Sequence, residues 1–581
     1  MTTKTPQETS TTGKPWLILS FLAIPVFVGS LDLTIISAIL PEVINQLDLS
    51  VTTRLDDASW MVSGYLLAYT ISMLFTGRLS DLIGRRNVFV ACLLLFMFGS
   101  WFVTIAHTWP TDWYLKVYRW IYPNPDTHIP PLLEIRQLRM IIVGRVIQAF
   151  GAGAMAPVAM AVVSDLYPAT KRARPLGFVG AVDTVGWILG HLYGGAMVKF
   201  FGEYGNSIVD LFASIGIEIG KPDWRTLFTL NIPLSLIALA GVWWGLRGTQ
   251  LTTQRKGLRF DILGTLLIIL CLITLTIGIG GASPESAFSA DSFDTVSGDG
   301  GQNAALLLGI ASIAFVLFVF WEFRTKHPLL DLTLFKRRNY SASAFTNFCV
   351  GICLAIGLVG VPLVVNLRST STSSEAFQTA AFIAGLVLSG LTVPMALAAI
   401  PGGWLSDRYG FRNVTVLGMA LSVVGFVISG FTWTSTLSYW IMGFEAAVIG
   451  IGLGLTISPV STALINEVKM DERGVSAALV LVLRLVGMTV AIAGLTTYAL
   501  YRVDQRLQDM VGLQDVNARN EAYLTASIDQ INELFFIGAA ISFVALLIAL
   551  RLQGGHVQSD VQDYAYPLQS PTDEPSALEV N

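Results

Sequence analysis

The sequence predicts an all-α polytopic membrane protein, and three observations carry that reading. Hydrophobic residues make up 53% of the 581 positions and charged residues 13%, about half the ~25% of a soluble domain. The apolar residues fall in blocks of about 20, long enough to cross about 30 Å of hydrocarbon as helix. A polar stretch, GRLSDLIGRR at residues 77–86, returns as GWLSDRYGFR at 403–412, so the chain repeats itself. So little charge cannot clothe a soluble core. The net charge of -4 gives no basic footprint for a nucleic-acid partner.

Fourteen apolar runs read as spans, at about 16–40, 59–79, 87–107, 138–162, 177–198, 226–246, 260–280, 303–321, 340–366, 380–402, 413–433, 438–465, 475–500 and 533–551. The first is too long for the apolar core of a cleavable signal peptide and reads as a span that stays. Spans 2 and 3 flank residues 77–86, and spans 10 and 11 flank 403–412. Span 4 contains GAGAMAP (151–157) and span 12 GLGLTISP (452–459), each followed by a basic turn (171–174 and 469–473) and another span. Spans 1–6 and 9–14 are therefore two copies of one six-helix unit, with spans 7 and 8 inserted between them. The expected domains are 1–246, an N-terminal six-helix bundle; 247–339, the inserted pair with basic loops; 340–552, a C-terminal six-helix bundle; and 553–581, a disordered acidic tail. Parallel six-span repeats mark carriers whose halves rock about a midplane site.

An even span count puts both termini on one side. With that side inside, the inner loops hold about twice as many Lys and Arg residues as the outer ones. Both termini and both polar stretches are thus expected on the cytoplasmic side of the cell membrane. Three outer loops, 108–137, 199–225 and 501–532, are long. The aromatics of the first (Trp109, Trp113, Tyr114, Tyr118, Trp120 and Tyr122) fit an interfacial belt or a vestibule for amphipathic cargo. Cys92, Cys271, Cys349 and Cys353 fall within spans. Cys349 and Cys353 lie one turn apart, but without His or carboxylate partners they read as packing, and no metal site is expected. The histidines are scattered, and neither HExxH nor a P-loop occurs, so no enzyme is expected.

Ionisable residues deep in a span cost at least about 2.5 kcal/mol and invite functional readings. They are Asp32, Arg145, Asp183, Glu445 and Arg484. Asp32 lies about 16 residues, or about 24 Å, into span 1. Burial disfavours the charged form of a carboxyl group, which suits a group there to bind and release protons. Arg145 suits the control of a neighbouring carboxylate, or a structural role on backbone carbonyls. Asp183 and Arg484 enter their spans to similar depth in the two repeats and read as an ion pair between the halves, or as pairs within each bundle. His191, near the depth of Asp32, reads as a coupling residue or as a hydrogen-bond partner of a neighbouring helix. Glu445 has no local support for a role.

The doubled stretch reads as two cytoplasmic latches. Asp81 and Asp407 can each reach the amino end of a helix in the opposite half, where a carboxylate gains about 0.3–1 kcal/mol. Arg85, Arg86, Arg408 and Arg412 are placed to hold those carboxylates and the last carbonyls of their helices. Gly77, Gly84, Gly403 and Gly410 permit the turn and the close approach.

These residues also resemble a known family. GRLSDLIGRR and its copy resemble the signature loop of the major facilitator superfamily. LDLTIISAILP (31–41), GRVIQAFGAGAMAP (144–157) and GWILGHLYGG (186–195) resemble the first-, fourth- and fifth-span motifs of its fourteen-helix drug/proton antiporters. With DWRTLFTLNIP (223–233), the resemblance runs nearly to Arg551. The stretches at 465–490 and 497–507 are similar to mycobacterial-type exporters that move lipids such as triacylglycerides and confer drug efflux. The resemblance implies a major facilitator fold of 6 + 2 + 6 helices and a proton gradient in place of any cofactor. It also implies Asp32 as the principal protonation site and Arg145 as its aid. Gly186, Gly190, Gly194 and Gly195 keep the glycines of the fifth-span motif for close helix packing, but His191 stands where antiporters carry proline. Antiport and symport both stay open. Leu82 replaces a basic residue kept as Arg408 in the second copy, and Phe411 stands where the first copy has Arg85.

The preferred expectation is a secondary transporter that exports hydrophobic or amphipathic compounds, drugs or lipids, in exchange for protons. The alternative is a lipid exporter feeding the outer leaflet, with room for a periplasmic or lipid-binding partner. A rival from another class is a non-transporting membrane sensor on the same scaffold.

Overall fold

The computed structural model describes residues 15–47, 51–123, 129–168, 171–214, 216, 220–245, 260–278, 301–326, 328–368, 374–469, 472–508 and 516–553. The tail expected to be disordered and the basic loop 247–259 lie outside them. Among the described residues fifteen α-helices follow one another: α1 Pro15–Gln46, α2 Val51–Ile83, α3 Arg85–Ile105, α4 Trp109–Ile121, α5 Leu133–Leu166, α6 Ala173–Ser214, α7 Trp224–Gly245 and α8 Ile262–Gly278, then α9 Gly301–Glu322, α10 Arg338–Leu367, α11 Ser374–Tyr409, α12 Phe411–Thr432, α13 Tyr439–Asn466, α14 Arg473–Gln508 and α15 Val516–Ala549. Twelve stretches among the described residues are long and apolar enough to cross a membrane. Neither α6 nor α8 is among the twelve; α8 offers a shorter apolar stretch, Ile262–Leu275. The fold is all-α and membrane-spanning.

Helix pairing repeats along the chain. In the first half α1 packs on α6 and α7, α3 on α5 and α7, and α2 on α5. In the second half α10 packs on α14 and α15, α12 on α13 and α15, and α11 on α13. The halves meet through α2 on α14 and, reciprocally, α6 on α11. The inserted α8 and α9 pack on each other, and α8 also touches α2.

Two expectations about loops need correction. The chain does not leave helix between spans ending at about 79 and starting at about 87: α2 runs to Ile83 and α3 starts at Arg85, with Gly84 alone between them at φ +96°. Gly410, at φ +85°, does the same between α11 and α12. Only glycine takes that conformation without strain, so one residue per copy turns the chain. The stretches expected as long outer loops are largely helical in their described residues. Residues 109–121 form α4, α6 continues to Ser214, and α14 and α15 extend to Gln508 and from Val516. Hydropathy marks where a span leaves hydrocarbon, whereas a helix ends only where its backbone bonds are broken or capped.

Glycines set the closeness of the pairs. A Cβ on Gly153 would lie 2.3 Å from the Tyr69 carbonyl oxygen, and one on Gly454 2.1 Å from that of Met395. These equivalent contacts join α5 to α2 and α13 to α11. Gly153→Ala and Gly454→Ala are each expected to cost about 1–3 kcal/mol through overpacking, read as a lower midpoint of thermal unfolding in detergent. Gly385→Ala, with nothing within 4 Å of the new carbon, serves as the control and is expected to leave the midpoint unchanged or higher.

Candidate functional site

At one end of the bundle each half holds the other by a carboxylate on a helix terminus. Asp81 Oδ1 accepts the Gly474 amide at 3.0 Å, and Oδ2 the Val475 amide at 3.2 Å, at the first turn of α14. Asp407 accepts the amides of Ala173 and Arg174, at the first turn of α6. Gly77 and Gly403 allow the approach: a Cβ would lie 2.7 Å from the Gly474 oxygen and 2.5 Å from the Ala173 oxygen. A carboxylate at such a terminus gains up to about 2 kcal/mol when partly buried.

The latches differ in charge. Beside Asp81, Arg85 donates to Asp81 at 2.7 Å and to Asp165 at 2.5 Å, and Arg473 donates to Asp165 at 3.0 Å. In the second copy Phe411 replaces Arg85 and Asn466 takes the place of Asp165. Arg172, the counterpart of Arg473, donates to Asn466 Oδ1 at 2.8 Å. One cation and one anion are lost together, while the Arg174 charge acts on Asp407 where the first latch has Val475. Asp81 is buried and Asp407 exposed. Burial and the neighbouring Arg473 charge pull the Arg172 guanidinium below its ordinary range, against the Asp165 carboxylate.

The expectation that four arginines hold the carboxylates is corrected. Only Arg85 does. Arg86 lies 4.2 Å from the Trp243 ring, Arg408 faces Trp404 and Tyr409, and Arg412 is exposed. Aromatic faces offer a half-exposed guanidinium an alternative partner.

Deeper in the first half is a buried polar network. Arg145 Nη1 donates to Asp32 Oδ2 at 2.5 Å and to Gln148 Oε1 at 2.6 Å, and Nη2 donates to the Asp32 carbonyl at 3.1 Å. Gln148 Nε2 and Asn231 Nδ2 donate to Asp32 Oδ1 at 3.0 and 2.8 Å. Gln148 Nε2 also donates to Ser100 Oγ at 2.8 Å. The Tyr65 ring lies 3.9 Å from Arg145 Cζ and the Phe228 ring 5.4 Å. The carboxylate thus draws α1, α5 and α7 together. Sequence reasoning reached Asp32 and Arg145 but missed Gln148, Asn231, Tyr65, Ser100 and Asp165.

Between the halves, Arg484 Nη2 donates to Asp183 Oδ2 at 3.2 Å, and Ser30 Oγ donates to Asp183 Oδ1 at 2.5 Å. Gly186 and Gly487 make matching contacts with the Phe27 and Phe348 carbonyls. The same spacing separates Asp183 from Arg484, so the two are repeat equivalents of opposite charge. By the same matching, Asp32, Arg145, Gln148 and Ser100 correspond to Cys353, Ala446, Ile449 and Phe426. Among the described residues these positions form no such network. Glu445 sits elsewhere, accepting from Thr432 Oγ1 and Trp433 Nε1, both at 2.8 Å.

A sequence model of the Major Facilitator Superfamily matches residues 22–491. The chain belongs to that superfamily. It is 25% identical to a triacylglyceride transporter of Mycolicibacterium smegmatis (strain ATCC 700084 / mc(2)155) over 96% of this chain and 91% of that one. It is 26% identical to a triacylglyceride transporter of Mycobacterium tuberculosis (strain ATCC 25618 / H37Rv) over 93% and 94%. The solved proton:xylose symporter XylE shares the fold at TM-score 0.51 and 13% identity, over 92% of this chain and 95% of that one. The human organic anion transporter MFSD10 does so at TM-score 0.51 and 11%, over 93% and 100%.

This member of the superfamily is a membrane transporter. In its fifth-span motif Gly186 and Gly190 pack on α1, where a Cβ on Gly190 would lie 2.4 Å from the Leu31 carbonyl oxygen. Gly194 is buried. Gly195 is a correction: nothing lies within 4 Å, because it falls on the exposed side of α6. The side chain of His191 lies outside the described residues.

The matched loss of charge in the second latch can be tested. Phe411→Arg alone places a guanidinium at a buried position with Asp407, four residues earlier, but without the counterpart of Asp165, and is expected to cost about 1–3 kcal/mol for its unsatisfied donors, read as lost folded protein by size-exclusion chromatography. Phe411→Arg with Asn466→Asp rebuilds the first latch and is expected to recover most of that loss.

Proposed function

We propose that the protein is a proton-driven exporter of hydrophobic or amphipathic compounds, with triacylglyceride-like lipids as the favoured substrate class. The observation that carries the coupling is the buried Asp32 network, a single carboxylate with donors from three side chains. The substrate class rests on the names of the mycobacterial relatives. We further propose fourteen spans, with 1–246 and 340–552 as the moving halves and 247–339 as an insert. Both termini then lie on the cytoplasmic side, with the latches.

Proton binding to Asp32 removes the counter-charge of Arg145 and leaves a buried cation facing rings and the Gln148 carbonyl oxygen. That state is costly, and its relief requires movement of α1 or α5. On α1, two residues before Asp32, Ser30 donates to Asp183. Moving α1 therefore disturbs the Asp183–Arg484 pair and, beyond it, the latches. In this cycle charged Asp32 goes with closed latches and neutral Asp32 with their release. His191 stays a candidate coupling residue, and with it the choice between antiport and symport.

Reconstituted into proteoliposomes, the protein is expected to move labelled triacylglyceride when a pH gradient is imposed. Asp32→Asn is expected to abolish gradient-driven movement without loss of folded protein; undiminished transport would sink the coupling role. Cationic dyes tested alongside read the drug alternative, and movement of neither cargo favours the sensor. Arg484→Asp is expected to lower activity at least tenfold by facing two buried carboxylates. The exchange Asp183→Arg with Arg484→Asp is expected to restore it.

A further inference from the structure

A second cluster of buried charge lies outside this cycle, where the inserted helices meet α2. Asp261, just before α8, and Glu322, the last residue of α9, are 7% and 4% exposed. Asp261 caps α8: its Oδ1 accepts the Gly264 amide at 2.9 Å, and Trp321 Nε1 donates to its two oxygens at 3.0 and 3.1 Å. Glu322 Oε2 accepts the Leu330 amide at 3.1 Å. The other oxygen, Oε1, is buried without a hydrogen-bond partner among the described residues.

That oxygen points toward Asp261. A Cβ on Gly264 would lie 2.4 Å from Asp261 Oδ2 and 2.6 Å from Glu322 Oε1, so both oxygens converge on the space the missing side chain leaves. Arg78 approaches from α2. It is 6% exposed, its Nε also lacks a partner, and its charge acts on Glu322. In the second polar stretch the same position is Trp404, which is exposed.

Two buried carboxylates this close cannot both ionise without strong mutual repulsion. One proton between them resolves the geometry: Glu322 Oε1 gains an O–H that donates to Asp261 Oδ2, and one negative charge remains for Arg78. We propose that Asp261 and Glu322 form a second proton-binding site, which clamps α8 to α9 and against the latch helix α2 while it is occupied. Among the described residues, the charged groups that face the pair are Arg78 from α2 and the two carboxylates themselves. In the turn after α9, Arg324 stacks on Phe320 at 4.3 Å and Lys326 is exposed. Loss of the proton sets two facing carboxylates against each other and loosens the insert, so the clamp senses proton concentration at the latch end. The site needs no part of the Asp32 cycle, and the two ideas fail separately.

Phe75 of α2 and Phe260 beside Asp261 meet edge-on at 5.2 Å. Cysteines at these two positions, in full-length protein with its native cysteines replaced and reconstituted in liposomes, report the clamp by disulfide cross-linking. The yield is expected to fall as the pH is raised and the shared proton is lost. Its pH profile is corrected with a reference cysteine pair joining α2 and α5. In Glu322→Gln, and separately in Asp261→Asn, the amide donates without a titrating proton, and the corrected yield is expected to stay high and flat. A flat profile in the parent protein overturns the proposal, as does a profile that Glu322→Gln leaves unchanged. Infrared spectra at neutral pH supply a second readout. A protonated-carboxyl band that is present in the wild type and lost in Glu322→Gln supports the site, and identical spectra contradict it.

Discussion

A charge placed in hydrocarbon must find its counter-charge there, and the deep ion pairs of this molecule follow from that constraint. Transfer from water costs an ion several kcal/mol even after relaxation, so Asp32 and Asp183 each bring a cation with them, while Glu445 is met by the neutral donors Thr432 and Trp433. Asp32 brings Arg145 and ties α1 to α5, while Asp183 brings Arg484 and ties α6 to α14. At the latch end Asp81, Arg85, Asp165 and Arg473 form a chain from α2 through α3 and α5 to α14. The first tie holds one half together, and the other two cross between halves.

The same constraint explains how the repeats have diverged. Two copies of a six-helix unit start with equivalent positions, yet a charge survives only where its partner does. The second latch lacks the counterparts of Arg85 and Asp165 together, with Phe411 and Asn466 in their places. The Asp32 network is replaced in the second half by Cys353, Ala446, Ile449 and Phe426, with Cys353 Sγ 3.2 Å from Ser542 Oγ. Asp183 and Arg484 are the informative exception. As equivalents facing each other across the interface, they carry opposite charges, and each half completes the other.

Much of this was legible in the sequence because it is written in local pattern. Apolar runs gave the helices, the returning GRLSD-like stretch gave the repeat, and isolated charges marked Asp32, Arg145, Asp183 and Arg484. Gln148 was within reach, three residues after Arg145 and so on the same helix face. Asn231 sat inside a stretch already noted for its resemblance. Tyr65, Asp165 and Asn466 were hidden because their importance depends on which helix packs opposite. The helical character of the polar stretches was missed for a related reason: polarity signals exit from the membrane, and a single glycine suffices to turn the chain.

The central claim is that the charge on Asp32 decides whether the latches hold. Spin labels at Asn87 on α3 and Asn413 on α12, equivalent and exposed positions beside the two latches, report the separation of the halves by double electron–electron resonance. In Asp32→Asn, which is permanently neutral, the distance distribution is expected to shift toward longer separations than in the wild type at neutral pH. A distribution unchanged from the wild type would contradict the link between Asp32 and the latches.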